Sequence, residues 1–320
     1  MDSLEVDLLR QMTRVRRVEE TIAELYGEQE MRCPVHLSIG QEAIAVGVCS
    51  ALHKRDVVVS AHRSHAHYLA KGCDLTSMLC ELYGKKDGCA GGKGGSMHLV
   101  DMENGQLAAV PIVGSAIPIG VGAAFGYKLQ SEERLVVIFL GDGATEEGVF
   151  AESLDFASLH GLRVIFVVEN NLYSVYTPLG LRQSSDRSIT RIAQGHGVRA
   201  FSGDGNDVLE VFNAAHQVNE YATENNAPAL IEFSTYRWLE HCGPNWDDDL
   251  GYREDGELDR WMSKCPIRNL QNNLIEQGML DKDVLALMES EIQQEIDLAI
   301  DHAKRADFPD APALFTHVYG

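Results

Sequence analysis

The chain has 320 residues, 45% of them apolar and 23% charged, which is the composition of a globular protein long enough to bury a large core. A formal net charge of −21 argues against nucleic acid as a partner, because phosphate binding needs a basic face; no apolar run approaches the roughly 20 residues of a membrane helix. The seven cysteines include no CxxC pair and are odd in number, so reduced thiols are expected in place of a disulfide framework or a zinc site. The acidic start Met1-Asp2-Ser3-Leu4-Glu5 lacks the basic-then-apolar pattern of a secretory signal, so a cytoplasmic address is expected.

In chain order, residues 4–28 read as an amphipathic helix, with Leu4, Leu8, Leu9, Met12, Val15, Val18 and Ile22 at helical spacing. A second helix is expected over Gln41–Leu52 and a short buried strand over Asp56–Ser60. A histidine-rich stretch, Ala61–Tyr68, precedes a helix around Leu75–Tyr83, and residues 88–95 form a glycine-dominated, flexible loop. From there the pattern turns α/β. Ala116–Leu129 is a small-residue helix, Leu135–Leu140 an apolar strand, Thr145–Leu159 a helix and Val164–Val168 a second apolar strand. Two apolar strands joined through a helix make a βαβ unit of a parallel sheet. A helix near Asp207–Thr223 leads to a strand at Ala229–Phe233, then to a polar, tryptophan-containing loop at 241–253. Asp281–Arg305 reads as a long surface helix. The chain is therefore expected to be one α/β domain over residues 1–320, a parallel sheet flanked by helices, with helical extensions at both ends.

The strand Leu135–Leu140 runs into Gly141-Asp142-Gly143-Ala144-Thr145, where a helix is expected to start. A loop at the carboxyl end of a parallel strand that feeds a helix is where an open α/β sheet binds ligands. Gly141 and Gly143 are expected to let the backbone turn and approach a ligand, and amides without helical acceptors are suited to a diphosphate. Asp142 then needs a divalent cation between its carboxylate and the phosphate oxygens, and magnesium suits such an all-oxygen site. The neighbouring strand ends in Glu169-Asn170-Asn171-Leu172-Tyr173, which offers the Asn171 side-chain carbonyl and the Tyr173 main-chain carbonyl as further ligands. The tripeptide recurs at Gly203-Asp204-Gly205 and the asparagine pair at Asn225-Asn226. Those asparagines precede a strand, so the second set reads as a turn entering a helix and a helix-terminating loop.

The span from Gly141-Asp142-Gly143 to Asn170-Asn171 resembles a thiamine diphosphate motif. Its surroundings resemble the alpha subunit of two-component 2-oxo acid dehydrogenases of the pyruvate, branched-chain and acetoin types. The resemblance runs from about His36 to Arg253. It is carried by His36-Leu37-Ser38-Ile39-Gly40-Gln41-Glu42, Ala61-His62-Arg63-Ser64-His65, Gly91-Gly92-Lys93-Gly94-Gly95-Ser96-Met97-His98, Ile112-Val113-Gly114 and Thr235-Tyr236-Arg237-Trp238.

The resemblance implies a thiamine-diphosphate-binding fold, with magnesium held by Asp142, Asn171 and the Tyr173 carbonyl. Gly143 and Ala144 would donate amides to the diphosphate and Arg63 would pair with its terminal phosphate. His62 stands where the family usually has tyrosine, and Val113-Gly114 would line the aminopyrimidine. His241 would sit beside the diphosphate and, with His65, along the catalytic channel. Three departures stand out. Leu239-Glu240-His241 replaces His-Gly-His, the segment Gly243–Asp249 is strongly acidic, and Asp155 replaces asparagine. The family's tautomer-setting carboxylate belongs to a beta chain. The implied partner is thus a beta subunit in a heterotetramer of two alpha and two beta chains, with a lipoyl acyltransferase as a further partner and a 2-oxo acid or acyloin as substrate. A thiamine-dependent carboligase or transketolase-like half, or a non-catalytic homologue, are the alternative readings.

Overall fold

The computed structural model describes residues 3–316. Helix α1 (Leu4–Tyr26) is capped by Ser3, whose hydroxyl accepts from the Val6 amide at 3.3 Å, and its periodic apolar face, Leu8 through Ile22, is buried. Then follow α2 (Glu42–Ser50), β1 (Val57–Ser60), α3 (His65–Ala70), α4 (Leu75–Leu82), β2 (Gln106–Ala109), α5 (Ala116–Leu129) and β3 (Val136–Gly141). The expected helix after β3 does not start at once. Asp142–Glu146 is a 3-10 turn, Glu147 is extended (ψ 138°), and α6 spans Gly148–Leu159. The chain continues as β4 (Val164–Asn170), the two-residue strands β5 (Tyr173–Ser174) and β6 (Thr177–Pro178), α7 (Leu179–Arg182), α8 (Ile189–Gly195), β7 (Arg199–Asp204), α9 (Val208–Asn225) and β8 (Ala229–Ser234). The last helices are α10 (Glu257–Met262), α11 (Pro266–Glu276) and α12 (Lys282–Arg305).

One six-stranded sheet runs in the order β2-β1-β3-β4-β8-β7, and every pairing in it is parallel. The expected parallel sheet flanked by helices is thus present. Alternation along the strands sorts the core. Val57, Val59, Ile138, Leu140, Phe166 and Val168 pack with residues of α5, α6 and α8. Val58, Val137, Phe139, Ile165 and Val167 pack with residues of α2 and α9 on the other face. A third cluster joins α1, α4, α11 and α12 beside the sheet. Phe139 is fully buried, and truncating it to alanine would cost about 3–5 kcal/mol.

The glycine-rich segment departs from the flexible loop expected of it. The amides of Ala90, Gly92, Gly94 and Gly95 all donate to the buried Glu81 carboxylate at 2.7–3.0 Å. An internal anion therefore fills this nest of amides.

Candidate active site

Three adjacent strand ends build the site. β3 pairs with β4 in a register that sets Gly141 opposite Glu169, so Asp142 and Asn171 leave the sheet side by side. β1 lies on the other flank of β3 and hands over directly to Ala61-His62-Arg63. A cavity of about 110 Å³ opens between these ends, lined by His62, Arg63, Val113, Gly114, Asp142, Gly143, Ala144, Asn171, Tyr173 and His241. Every residue expected to bind cofactor or metal therefore borders one cavity.

Asp142 is buried at 1% exposure, and burial pushes its carboxyl above the ordinary range against the opposing pull of Arg182. Its carboxylate pairs with Arg182, which also pairs with Glu146. Nothing in the spacing pointed to Arg182, which comes from α7. The Asn171 carbonyl oxygen accepts from the Tyr173 amide at 3.2 Å, and its NH2 donates to Gln41 Oε1 at 2.9 Å. That second bond fixes the amide orientation and keeps the oxygen directed as an acceptor. Leu172 (φ 71°) and Val175 (φ 54°) are left-handed, a strained conformation for non-glycine residues and above all for a β-branched one. Arg237, itself 1% exposed, holds the distorted segment by donating to the Val175 carbonyl at 2.8 Å.

Arg63 is buried and donates to the main-chain carbonyls of Leu37 (2.5 Å) and His241 (3.2 Å). Among the described residues it makes no ion pair. Burial, with Arg237 nearby, pulls it down to about 10, so it remains a cation at neutral pH. Around it stand three imidazoles. His62 and His241 line the cavity, and His36 closes the group behind them, with ring centroids 4.7–5.2 Å apart. Burial first, then the Arg63 charge, lowers His36 to about 2, His62 to about 4 and His241 to about 3.

Gly114 has φ +86°, and an added Cβ would lie 3.0 Å from Glu147 Cγ, so glycine is required there. Gly141 has φ −77° and open space around a notional Cβ. The sharp turn expected at Gly141 is therefore absent, and any demand for glycine there comes from what occupies the cavity. Gly143 and Ala144 belong to the 3-10 turn and not to the first turn of α6.

His65 is the one expected site residue that the fold does not bring to the cavity. It is completely buried, with Nε2 2.7 Å from Ser96 Oγ and Nδ1 3.4 Å from Glu19 Oε1. Polar groups that were not singled out from the sequence as site residues include Gln41 and Glu169, which line the cavity, and Arg182, which pairs with Asp142. Gln41 lay inside a quoted motif. Glu169 lies next to Asn170, but its partner His67, at 3.2 Å, comes from a distant segment.

The departures from the family pattern are locally accommodated. Leu239 is buried and its carbonyl accepts from Arg253 at 3.2 Å, while Glu240 Oε1 accepts from the Asn245 amide at 3.0 Å. Of the acidic run, Asp247 turns inward to Arg237 (3.1 Å) and Arg253 (2.5 Å), whereas Asp248 and Asp249 are exposed. Asp155, on α6, accepts from His196 Nδ1 at 2.6 Å and does not line the cavity.

The donor set fits a hard divalent cation beside an anion. It offers one carboxylate, one side-chain amide oxygen with a fixed orientation, and the main chain at Tyr173, next to a buried cation that makes no ion pair. The chain is also similar to known proteins. A family profile described as "Dehydrogenase E1 component" matches residues 10–312. The chain is 35% identical over 312 residues to the alpha subunit of acetoin:2,6-dichlorophenolindophenol oxidoreductase from Bacillus subtilis (strain 168), covering 98% of this chain and 92% of that protein. It is 34% identical over 310 residues to the pyruvate dehydrogenase E1 component subunit alpha of Rickettsia typhi, covering 97% and 94%. The corresponding Zymomonas mobilis subunit is 35% identical over 315 residues, covering 98% and 88%.

Proposed function

Because the chain belongs to the alpha-subunit family of the thiamine-diphosphate-dependent 2-oxo acid and acetoin dehydrogenases, we propose that it holds the diphosphate end of that cofactor, through magnesium, in an enzyme acting on a 2-oxo acid or an acyloin. The observation that carries this reading is Arg63, a buried guanidinium among neutral imidazoles that borders the Asp142–Asn171 cavity without a direct ion-pair partner among the described residues, only the more distant Glu19 and Glu169 carboxylates acting on it. Leaving such a charge unpaired costs several kcal/mol, and an anion in the cavity relieves that cost.

The proposed division of labour follows from the donors. Asp142, Asn171 and the Tyr173 carbonyl hold the cation, and Arg63 pairs with phosphate oxygens. His62 and His241 flank the phosphate end as neutral imidazoles able to donate one hydrogen bond each. Val113 and Gly114 border the cavity, with Val113 50% exposed and Ile112 beside it 73% exposed. Bound thiamine diphosphate supplies an electron sink for cleaving the bond next to a carbonyl.

The cavity is small for such a cofactor, since ligand sites usually enclose about 300–1,000 Å³. Val113 and Val175 line it and are exposed, as are their chain neighbours Ile112 and Tyr176, which makes an apolar rim. A beta chain covering that rim and contributing the carboxylate for the aminopyrimidine accounts for both features. Within this chain, Glu42 is held by Arg16 through both oxygens and Glu232 by Asn170, so neither is free for that role. Acetoin and pyruvate enzymes both occur among the relatives, and the reading leaves the substrate at that class.

The test is a decarboxylation assay with an artificial electron acceptor, run on the purified chain before and after its cognate beta chain is added, alongside mass photometry. No turnover alone, and turnover with a complex of two alpha and two beta chains, is expected. Robust turnover by the lone chain would overturn the division of labour and point to Glu169, the remaining carboxylate at the cavity.

A further inference from the structure

Three imidazoles from three separated segments meet at one end of the cavity. His36 comes from the connection before α2, His62 from the carboxyl end of β1, and His241 from the loop after β8. One ring nitrogen from each can be chosen so that all three lie within 4.8 Å of one another. The rings meet edge to face, at interplanar angles of 64°, 83° and 62°. His36 is 6% exposed, and its Nδ1 is buried without a hydrogen-bond partner. A buried ring nitrogen without a partner costs about 1–3 kcal/mol, so something is gained if a ligand engages it.

We propose that His36, His62 and His241 form a binding site for a zinc-class divalent ion, separate from the oxygen site at Asp142 and Asn171. Imidazole-only donors select zinc, cobalt or nickel over magnesium, which prefers oxygen and holds its water tightly. Zinc–nitrogen bonds of about 2.0–2.1 Å put tetrahedral ligand nitrogens roughly 3.3–3.4 Å apart. Separations of up to 4.8 Å therefore have to close by at most about 1.4 Å, within reach of side-chain rotation at half-buried His62 and His241. The rings are neutral at physiological pH, so their lone pairs are available.

Arg63 sets the terms of occupancy. Its Nη2 lies 3.5 Å from His241 Nδ1, so a bare dication there is repelled by the guanidinium. The fourth position must then hold an anion, hydroxide or a phosphate oxygen, that faces both the ion and Arg63. His62 stands where the resembling family usually has tyrosine, so the third nitrogen is a property of this chain. The site uses no residue of the oxygen site, but it shares His62 and His241 with the phosphate end of the proposed cofactor site, so it is tested on the chain without cofactor.

The test uses cobalt(II) alone on the full chain stripped of metal, read by visible absorption and by metal content. The expected result is one equivalent with the intense visible bands of tetrahedral cobalt. The near-ultraviolet band of a cobalt–thiolate bond is absent, which sets the site apart from any formed by the seven cysteines. Zinc should displace the cobalt, and inorganic phosphate should tighten its binding. His62→Tyr and His241→Ala should each weaken cobalt binding by at least about 100-fold, since removing even an outer-shell partner costs 10–100-fold. Asp142→Ala should leave it unchanged. Circular dichroism establishes that each variant is folded, and His62→Tyr restores a residue type the family accommodates at that position. Absence of the tetrahedral bands, or bands unaffected by His62→Tyr, would overturn the proposal. Cobalt binding lost with Asp142→Ala instead would assign the ion to the oxygen site, leaving the magnesium reading standing and this one refuted.

Discussion

The chain contains the tripeptide Gly-Asp-Gly twice, and the fold treats the copies differently. Both stand at the carboxyl end of a parallel strand with a helix downstream: Gly141-Asp142-Gly143 ends β3, and Gly203-Asp204-Gly205 ends β7. Reading the second copy merely as a turn entering a helix overlooked the strand before it. What separates the copies is position in the sheet. β3 is interior, so the ends of β1 and β4 lie on either side of it and bring Arg63 and Asn171 to Asp142. β7 is an edge with one neighbour, β8. There Asp204 Oδ1 accepts from the Asn206 amide at 2.9 Å and Gly205 donates to the Ser234 carbonyl at 2.8 Å, which closes the turn on itself. The proposed chemistry thus rests on the convergence of three strand ends, which the tripeptide alone does not provide.

Substitutions at matched positions can break this contrast. The largest effect is expected at the aspartates. Asp142→Ala should weaken magnesium-dependent thiamine diphosphate binding to the assembled complex by about 100-fold or more, and Asp204→Ala should leave it near wild type, as measured by calorimetric titration. Equal losses would make the two copies equivalent. Next comes the cation that only the first copy faces. Arg63→Ala should cost about 1.5–3 kcal/mol of cofactor affinity, the range for hydrogen bonds to charged groups. Arg63→Lys should recover part of this, because an ammonium cannot present the same fork. Full recovery with lysine would reduce Arg63 to a point charge.

The smallest effects concern the glycines, read as thermal stability. A Cβ at Gly205 would lie 2.7 Å from both the Ser234 carbonyl oxygen and Ile44 Cδ1, so Gly205→Ala should destabilise by about 1–3 kcal/mol. A Cβ at Gly141 meets nothing within 4 Å, so Gly141→Ala should stay within about 0.5 kcal/mol. A large loss at Gly141 would show that the first turn is constrained by its own fold.

Legibility in the sequence followed burial. β1, β3, β4 and β8 are interior strands, and their apolar runs announced them. β2 and β7, the two edges, went unseen: Gln106–Ala109 and Arg199–Asp204 are partly exposed and carry no such run. Asp142 and Asn171 could be paired from the sequence because they follow neighbouring strands of a βαβ unit, whereas Arg63 was named only through the family resemblance. Gln41, Glu169 and Arg182 were not singled out, because their approach to the cavity or to Asp142 depends on tertiary packing between distant segments, as does that of His36 to His62 and His241. The bond from Arg182 to Asp142 spans 40 positions and arises from α7, too short to carry a periodic signal. Residues 257–276 also fold into two helices that were not anticipated. Glu257–Met262 has only six residues, and Pro266–Glu276 buries only Pro266, Leu270 and Leu274.

In the structure the Asp142 carboxylate is paired with Arg182. A cation held by Asp142 has to take that place, so the central claim can be tested at one atom. The measurement is a crystal structure of the chain assembled with its beta partner, magnesium and thiamine diphosphate. The account predicts a magnesium ion about 2.0–2.1 Å from an Asp142 oxygen and from the Asn171 carbonyl oxygen, bridging to the diphosphate, with Arg182 displaced from Asp142. Diphosphate bound elsewhere, or bound in the cavity with Arg182 still on Asp142 and no ion between them, would contradict it.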